Sequence, residues 1–337
     1  MDPHACGCVG SRCAAPQGDQ FAPWDGPAAL KCAPTLAAAS AAAALPPEGA
    51  QFAPWDGPAA LMSGVVRGVD KSAVQVALRG VSKRFPATSG GQAVQALAPI
   101  DLDIRRGEFF GVVGPSGCGK STLLDILAGL SPPTKGSVAF EGKPVDGVPD
   151  GIGVVFQEDA SFPWLSVRDN VAFGLREAAL SAQEKARRVD DAIAMMGLGD
   201  FARTFPAQLS GGMRQRVCIA RTLVTQPRLL LLDEPFGALD QQTRLLMGDE
   251  VLRLWREIDA TVFLITHALD EAAMLADRIA IMSARPGRVI EVVETRWPRE
   301  RDSRIVEHAS FGAVTSRLWK TLREESMKTM GRAGDTR

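Results

Sequence analysis

The chain has 337 residues, 46% apolar and 23% charged, with a formal net charge of −1. This length suits one large or two modest domains with a full core, and the composition is that of an ordinary globular protein. The charge gives no global case for a nucleic-acid partner, and no stretch supplies the roughly 20 apolar residues of a membrane-spanning helix.

Residues 1–61 read as a disordered, low-complexity tail rich in Ala, Pro and Gly. They hold an exact repeat, QFAPWDGPAAL, at Gln20–Leu30 and again at Gln51–Leu61. Met62 follows at once, so the tail is expected to be an extension upstream of a start at Met62. Cys6, Cys8, Cys13 and Cys32 lack the paired spacing of a zinc site and read as free thiols of a reducing compartment.

From Val74 the pattern becomes α/β. Val74–Leu78 alternates as a strand, and Phe109–Val113 is a short apolar strand running into a glycine-rich loop. Ser121–Leu127 then reads as a helix ended by Gly129. Val154–Phe156, Leu229–Leu232, Val262–Ile265 and Ile279–Met282 are short apolar runs of the kind buried on both faces of a sheet. Between Val167 and Val224 the pattern is helical, clearest over Glu184–Met196 and Arg214–Val224. Ser310–Met327 predicts an amphipathic helix after a linker holding Pro298.

Gly114, Pro115, Ser116, Gly117, Cys118, Gly119, Lys120, Ser121 and Thr122 fit G-x-x-x-x-G-K-[ST], between a strand and a helix as the motif requires. The glycines let backbone N–H groups converge on phosphate oxygens, and the helix offers its positive end. Lys120 brings a mobile charge to the outer phosphates, and the Ser121 hydroxyl suits Mg²⁺. Cys118, at this helix start, is expected to be a reactive thiol that MgATP protects, with Cys218 slow to label. Asp233, ending a buried strand, is costly there unless it meets a cation, and Glu234 can orient or deprotonate a water. Ser210, Gly211 and Gly212, with Met213, Arg214 and Gln215 following, make a second donor-rich helix start, suited to the nucleotide of another copy.

These motifs resemble those of the ABC transporter ATP-binding family over about Val74–Val293. Gly114–Thr122 is similar to its Walker A motif, Leu209–Gln215 to its signature and Leu229–Glu234 to its Walker B. The resemblance makes Gln157 the Q-loop glutamine, a sensor of Mg²⁺, water and the membrane subunit. Asp240 falls in the D-loop, His267 is the switch histidine at the γ-phosphate, and Phe85 is the aromatic that stacks on adenine. Within the family, Gln157–Asp159, Pro163–Asn170 and Phe236–Asp240 resemble nitrate, sulfonate and taurine importers. There, Pro163, Trp164 and Leu165 would line the groove for the permease; an ordinary core role for Trp164 stays open.

The resemblance implies a P-loop NTPase: a RecA-like α/β core with an antiparallel β edge and a helical subdomain at about 160–222. The ATP-binding domain is expected over 62–290, with a partly helical C-terminal extension over 291–337. Implied are ATP and Mg²⁺, catalysis by Glu234, His267, Gln157 and Lys120, and metal ligation by Ser121, Gln157 and Asp233. Implied partners are a second cassette, two membrane permease subunits and, indirectly, a solute-binding protein, at the cytoplasmic face of the cell membrane. Soluble relatives that move nucleic acid usually carry two cassettes or a coiled-coil insert, and this chain has neither.

Overall fold

The computed structural model describes residues 73–87, 92–157, 160–237 and 239–334. The tail with its repeat, its four cysteines and Met62 lies outside the described residues. The chain divides between Ser63 and Gly64, and every described residue belongs to the second unit.

Strands β1 (Val74–Phe85), β2 (Val94–Arg105), β4 (Lys135–Phe140) and β5 (Lys143–Pro144) form an antiparallel sheet in the order β2-β1-β4-β5. The second sheet runs β10-β9-β3-β8-β7-β6. Its strands β3 (Phe109–Val113), β6 (Ile152–Val155), β7 (Leu229–Asp233), β8 (Thr261–Thr266) and β9 (Arg278–Met282) are parallel; β10 (Val289–Glu294) closes one edge antiparallel to β9.

The continuous apolar runs follow from where this sheet sits. Successive side chains of a strand point to opposite faces, and both faces here are covered. Phe110, Leu229, Leu231 and Phe263 join one core with Leu123 and Leu127 of α1 (Lys120–Leu127) and Val76 and Leu78 of β1. Phe109, Leu230, Leu232 and Leu264 join the other, built on α5 (Gln241–Ile258), α6 (Leu269–Leu275) and the helical insert.

The insert comprises α2 (Val167–Phe173), α3 (Ala182–Met195) and α4 (Gly211–Leu223). Each begins at a serine whose hydroxyl accepts from a backbone N–H three residues on: Ser166 from Asp169, Ser181 from Glu184, Ser210 from Met213. Such caps satisfy donors that the first helical turn leaves free.

The predicted boundary at 290 falls inside β10, so the ATP-binding domain does not end there. The last helix, α7 (Ala309–Gly334), is longer than its sequence pattern predicts, and its Phe311 and Leu318 lie in the core with α5 and α6. The segment past 290 is thus built into the domain. No helix among the described residues is long and apolar enough to cross a membrane.

Candidate nucleotide-binding site

Parallel strands carry their C-terminal ends to one edge of a sheet, where open α/β sheets bind ligands. Here the ends of β3, β6, β7 and β8 deliver the phosphate loop, Gln157, Asp233 with Glu234, and His267 to that edge. Phe85, Ser116, Gly117, Gly119, Lys120, Ser121, Thr122, Gln157, Glu234 and His267 line one cleft of about 530 Å³. Ten predicted residues, drawn from five separate chain segments, therefore meet. Phe85 ends β1 opposite Val94 of β2, which also lines the cleft, and its ring is exposed there.

Gly119 caps α1 with φ 105, a left-handed conformation that disfavours side chains, and a Cβ there would stand 2.7 Å from Leu97 Cδ2. The next residue, Lys120, is buried, and its Nζ donates to the carbonyls of Gly114 (2.9 Å) and Pro115 (3.3 Å). The ammonium thus closes the loop on itself.

Asp233 is buried beneath the cleft. Its carboxylate accepts from the Ser121 hydroxyl, and burial raises its pKa above the ordinary carboxylate value, despite the lowering effect of Ser121 and Lys120. Its Oδ1 has no hydrogen-bond partner. A buried carboxylate oxygen without a partner, beside a serine hydroxyl, is the hard oxygen set a Mg²⁺ ion takes. The residues present fit that ion.

Glu234 lies at φ 45, a strained backbone that its N–H holds by donating to Ile265 O of β8 (2.8 Å). Its Oε2 accepts from Gln157 Nε2 (3.1 Å) and lies 3.0 Å from His267 Nδ1. Gln157 thus spends its amide nitrogen on Glu234.

Other expectations fare differently. Ser210 and Gly211 are exposed at the start of α4, Gly212 is half-buried beside them, and none lines the cleft of its own chain. Gln215 turns inward in the single chain, only 9% exposed, and does not line its own cleft. Asp240 caps α5, accepting from Thr243 N (3.0 Å) and Thr243 Oγ1 (2.6 Å), so in the single chain its carboxylate is committed to the helix start. Cys118 does not bear out a reactive thiol: it is 1% exposed, and burial raises its pKa, outweighing Lys120 and the loop amides. Trp164 is 71% exposed, in a group with Phe162 (ring centroids 5.5 Å apart), which in turn meets Phe173 at 4.7 Å. That removes the core role left open for Trp164. Sequence reading missed Arg285, which also lines the cleft from the β9–β10 loop.

The ABC transporter family model matches residues 97–237. An uncharacterized ABC transporter ATP-binding protein of Methanocaldococcus jannaschii is 42% identical over 265 residues, covering 79% of this chain and 97% of that one. The taurine import ATP-binding protein TauB of a Jannaschia species is 47% identical over 214 residues, 64% of this chain and 80% of that one. The bicarbonate transport ATP-binding protein CmpC of Synechococcus elongatus is 44% identical over 247 residues, 72% of this chain but 37% of that one. Among solved structures, a dimeric ATP-binding cassette in a post-hydrolysis state bound to ADP and Pi matches with TM-score 0.58 and 33% identity, covering 66% of this chain and all of that one. With its phosphate loop, strand-end carboxylates and this likeness along its folded length, the chain belongs to the ABC transporter ATP-binding family and is an ATP-hydrolysing cassette that works with Mg²⁺.

Proposed function

We propose that two copies of this chain hydrolyse MgATP at two shared sites and so drive uptake of a small solute through separate permease subunits. The observation that carries the catalytic half is the single Glu234 oxygen met by both Gln157 and His267 at the mouth of the phosphate-loop cleft.

Phe85 stacks on adenine, and the loop N–H groups cradle the phosphates. Lys120 leaves the Gly114 and Pro115 carbonyls for the outer phosphate oxygens. Ser121, Asp233 and Gln157 would hold Mg²⁺, which neutralises phosphate charge when bound. Glu234 takes the proton of the attacking water as the water oxygen bonds to the γ-phosphorus and ADP departs. His267 keeps the Glu234 carboxylate aimed and faces the γ-phosphate. Ser210 and Gly211, exposed and off their own cleft, supply donors to the nucleotide of the second copy.

The exposed Trp164 and Phe173, joined by the half-buried Phe162, belong to the permease contact, with the cassette peripheral at the cytoplasmic face of the cell membrane. Relatives named for taurine and for bicarbonate support import of a small solute with an anionic group, delivered by a solute-binding protein. The test is uptake into vesicles carrying the assembled transporter, with taurine, an alkanesulfonate, nitrate and bicarbonate as the panel. ATP-dependent accumulation of one of them is expected. Turnover that none of these solutes stimulates, with no accumulation, would overturn the importer reading.

A further inference from the structure

The loop joining β9 to β10 lies outside every motif, yet it forms one wall of the cleft through Arg285. The Arg285 guanidinium donates twice to the Gly117 carbonyl, from Nε (3.1 Å) and Nη2 (3.0 Å). The loop is anchored from the other side by β2: Gly287 N donates to Ala96 O (2.9 Å), and Ala98 N donates to Gly287 O (2.9 Å). Gly287 approaches the phosphate loop so closely that a Cβ would stand 2.0 Å from Cys118 O. The loop therefore touches two consecutive residues of the phosphate loop while tied to the strand that bears Val94.

A trans peptide places its C=O and N–H on opposite sides. Holding the Gly117 carbonyl toward Arg285 turns the Cys118 N–H inward, where it donates to Pro115 O at 3.3 Å. That long bond is easily exchanged for a phosphate oxygen. Gly117 has a positive φ (73) and no Cβ, so on that side the peptide plane depends on what holds the Gly117 carbonyl.

We infer that Arg285 is a positioning residue of the nucleotide site: its two-pronged grip on Gly117 holds the 117–118 peptide with its amide toward the phosphates of a nucleoside di- or triphosphate. The guanidinium also adds positive charge to the same rim. The inference rests on the cleft being the nucleotide site. Arg285 is exposed, so its removal leaves the fold intact, and the effect sits at the modest end for a charge-assisted bond.

The experiment measures Kd for MgATP and MgADP by calorimetry, together with KM and kcat, for the full chain, Arg285→Ala and Lys120→Ala. Arg285→Ala is expected to raise both Kd values and KM about fivefold while kcat stays within about twofold. A merely structural role would lower kcat or the melting temperature without this split. Unchanged Kd in Arg285→Ala beside weakened binding in Lys120→Ala overturns the inference and leaves the site reading standing. Unchanged binding in Lys120→Ala overturns both.

Discussion

His267 Nδ1 lies 3.0 Å from Glu234 Oε2, a contact across the ends of the neighbouring strands β8 and β7. The Glu234 side chain is mostly buried, whereas that of His267 is 55% exposed, so the imidazole forms the solvent side of the pair. His267→Ala should leave MgATP affinity within about twofold and lower turnover by ~10²-fold, the scale for losing a group that orients an acid–base partner. Steady-state ATPase beside calorimetric Kd would check this, and an unchanged kcat would remove His267 from the mechanism.

Glu271 titrates in an informative place. It is buried in α6, accepts from Thr266 Oγ1 (2.9 Å), and burial pushes its pKa up to about 7, against the lowering by Thr266 and by Arg244 of α5 and with some raising by Glu234. A raised carboxyl pKa means that the folded chain binds the extra proton, so stability falls as pH rises from about 4.5 to about 7 and stays penalised above. Glu271→Gln should therefore gain stability relative to the parent over that interval, by on the order of 2 kcal/mol between its ends. Urea melts at pH 5 and pH 8 measure it; a difference between the two proteins that does not change with pH would show that Glu271 stays ionised.

Cys118 should react slowly with a thiol reagent in the folded chain and fast in denaturant, with or without MgATP. Its place at a helix start favours thiolate, but its sulfur sits in the core with Leu123, Leu124 and Met282, and desolvation outweighs the helix end. Rapid labelling of the native chain at Cys118, mapped by mass spectrometry, would refute the burial argument.

What the sequence made legible follows the same physics. The phosphate loop, Asp233, Glu234 and His267 were readable because their chemistry demands fixed residue types at the ends of fully apolar strands. Arg285 was not, since an arginine in a loop has no spacing that points at Gly117. Gln215 was placed by motif order alone, and order says nothing about which side of a helix faces inward. Strands β2, β4 and β10 mix exposed and buried positions, and register shifts interrupt β2 and β10, so period-two patterning misses them.

Trp164→Ala should leave the melting temperature and basal ATPase of the isolated chain close to the parent, because the ring is exposed and its removal opens no cavity. Assembly with the permease should weaken at least tenfold, the scale of an aromatic anchor. Copurification of tagged permease with each protein measures it. Equal recovery would place the permease contact elsewhere.

Glu234→Gln separates binding from chemistry. The amide keeps the size of the carboxylate and can still meet His267 and Gln157, but it cannot take a proton from water. Turnover should fall by ~10²–10⁴. In the proposed mechanism nucleotide affinity rests on Lys120, the loop amides, Phe85 and Ser210 of the second copy, none of which the substitution changes. The variant should therefore accumulate as an ATP-bound dimer, seen by size-exclusion chromatography with MgATP and absent without it. Lys120→Ala should give no such dimer, because it weakens binding itself. If Glu234→Gln hydrolyses ATP at the parent rate, Glu234 is not the base. If it is inactive yet stays monomeric with ATP bound, the exposed Ser210 and Gly211 do not close over a second nucleotide.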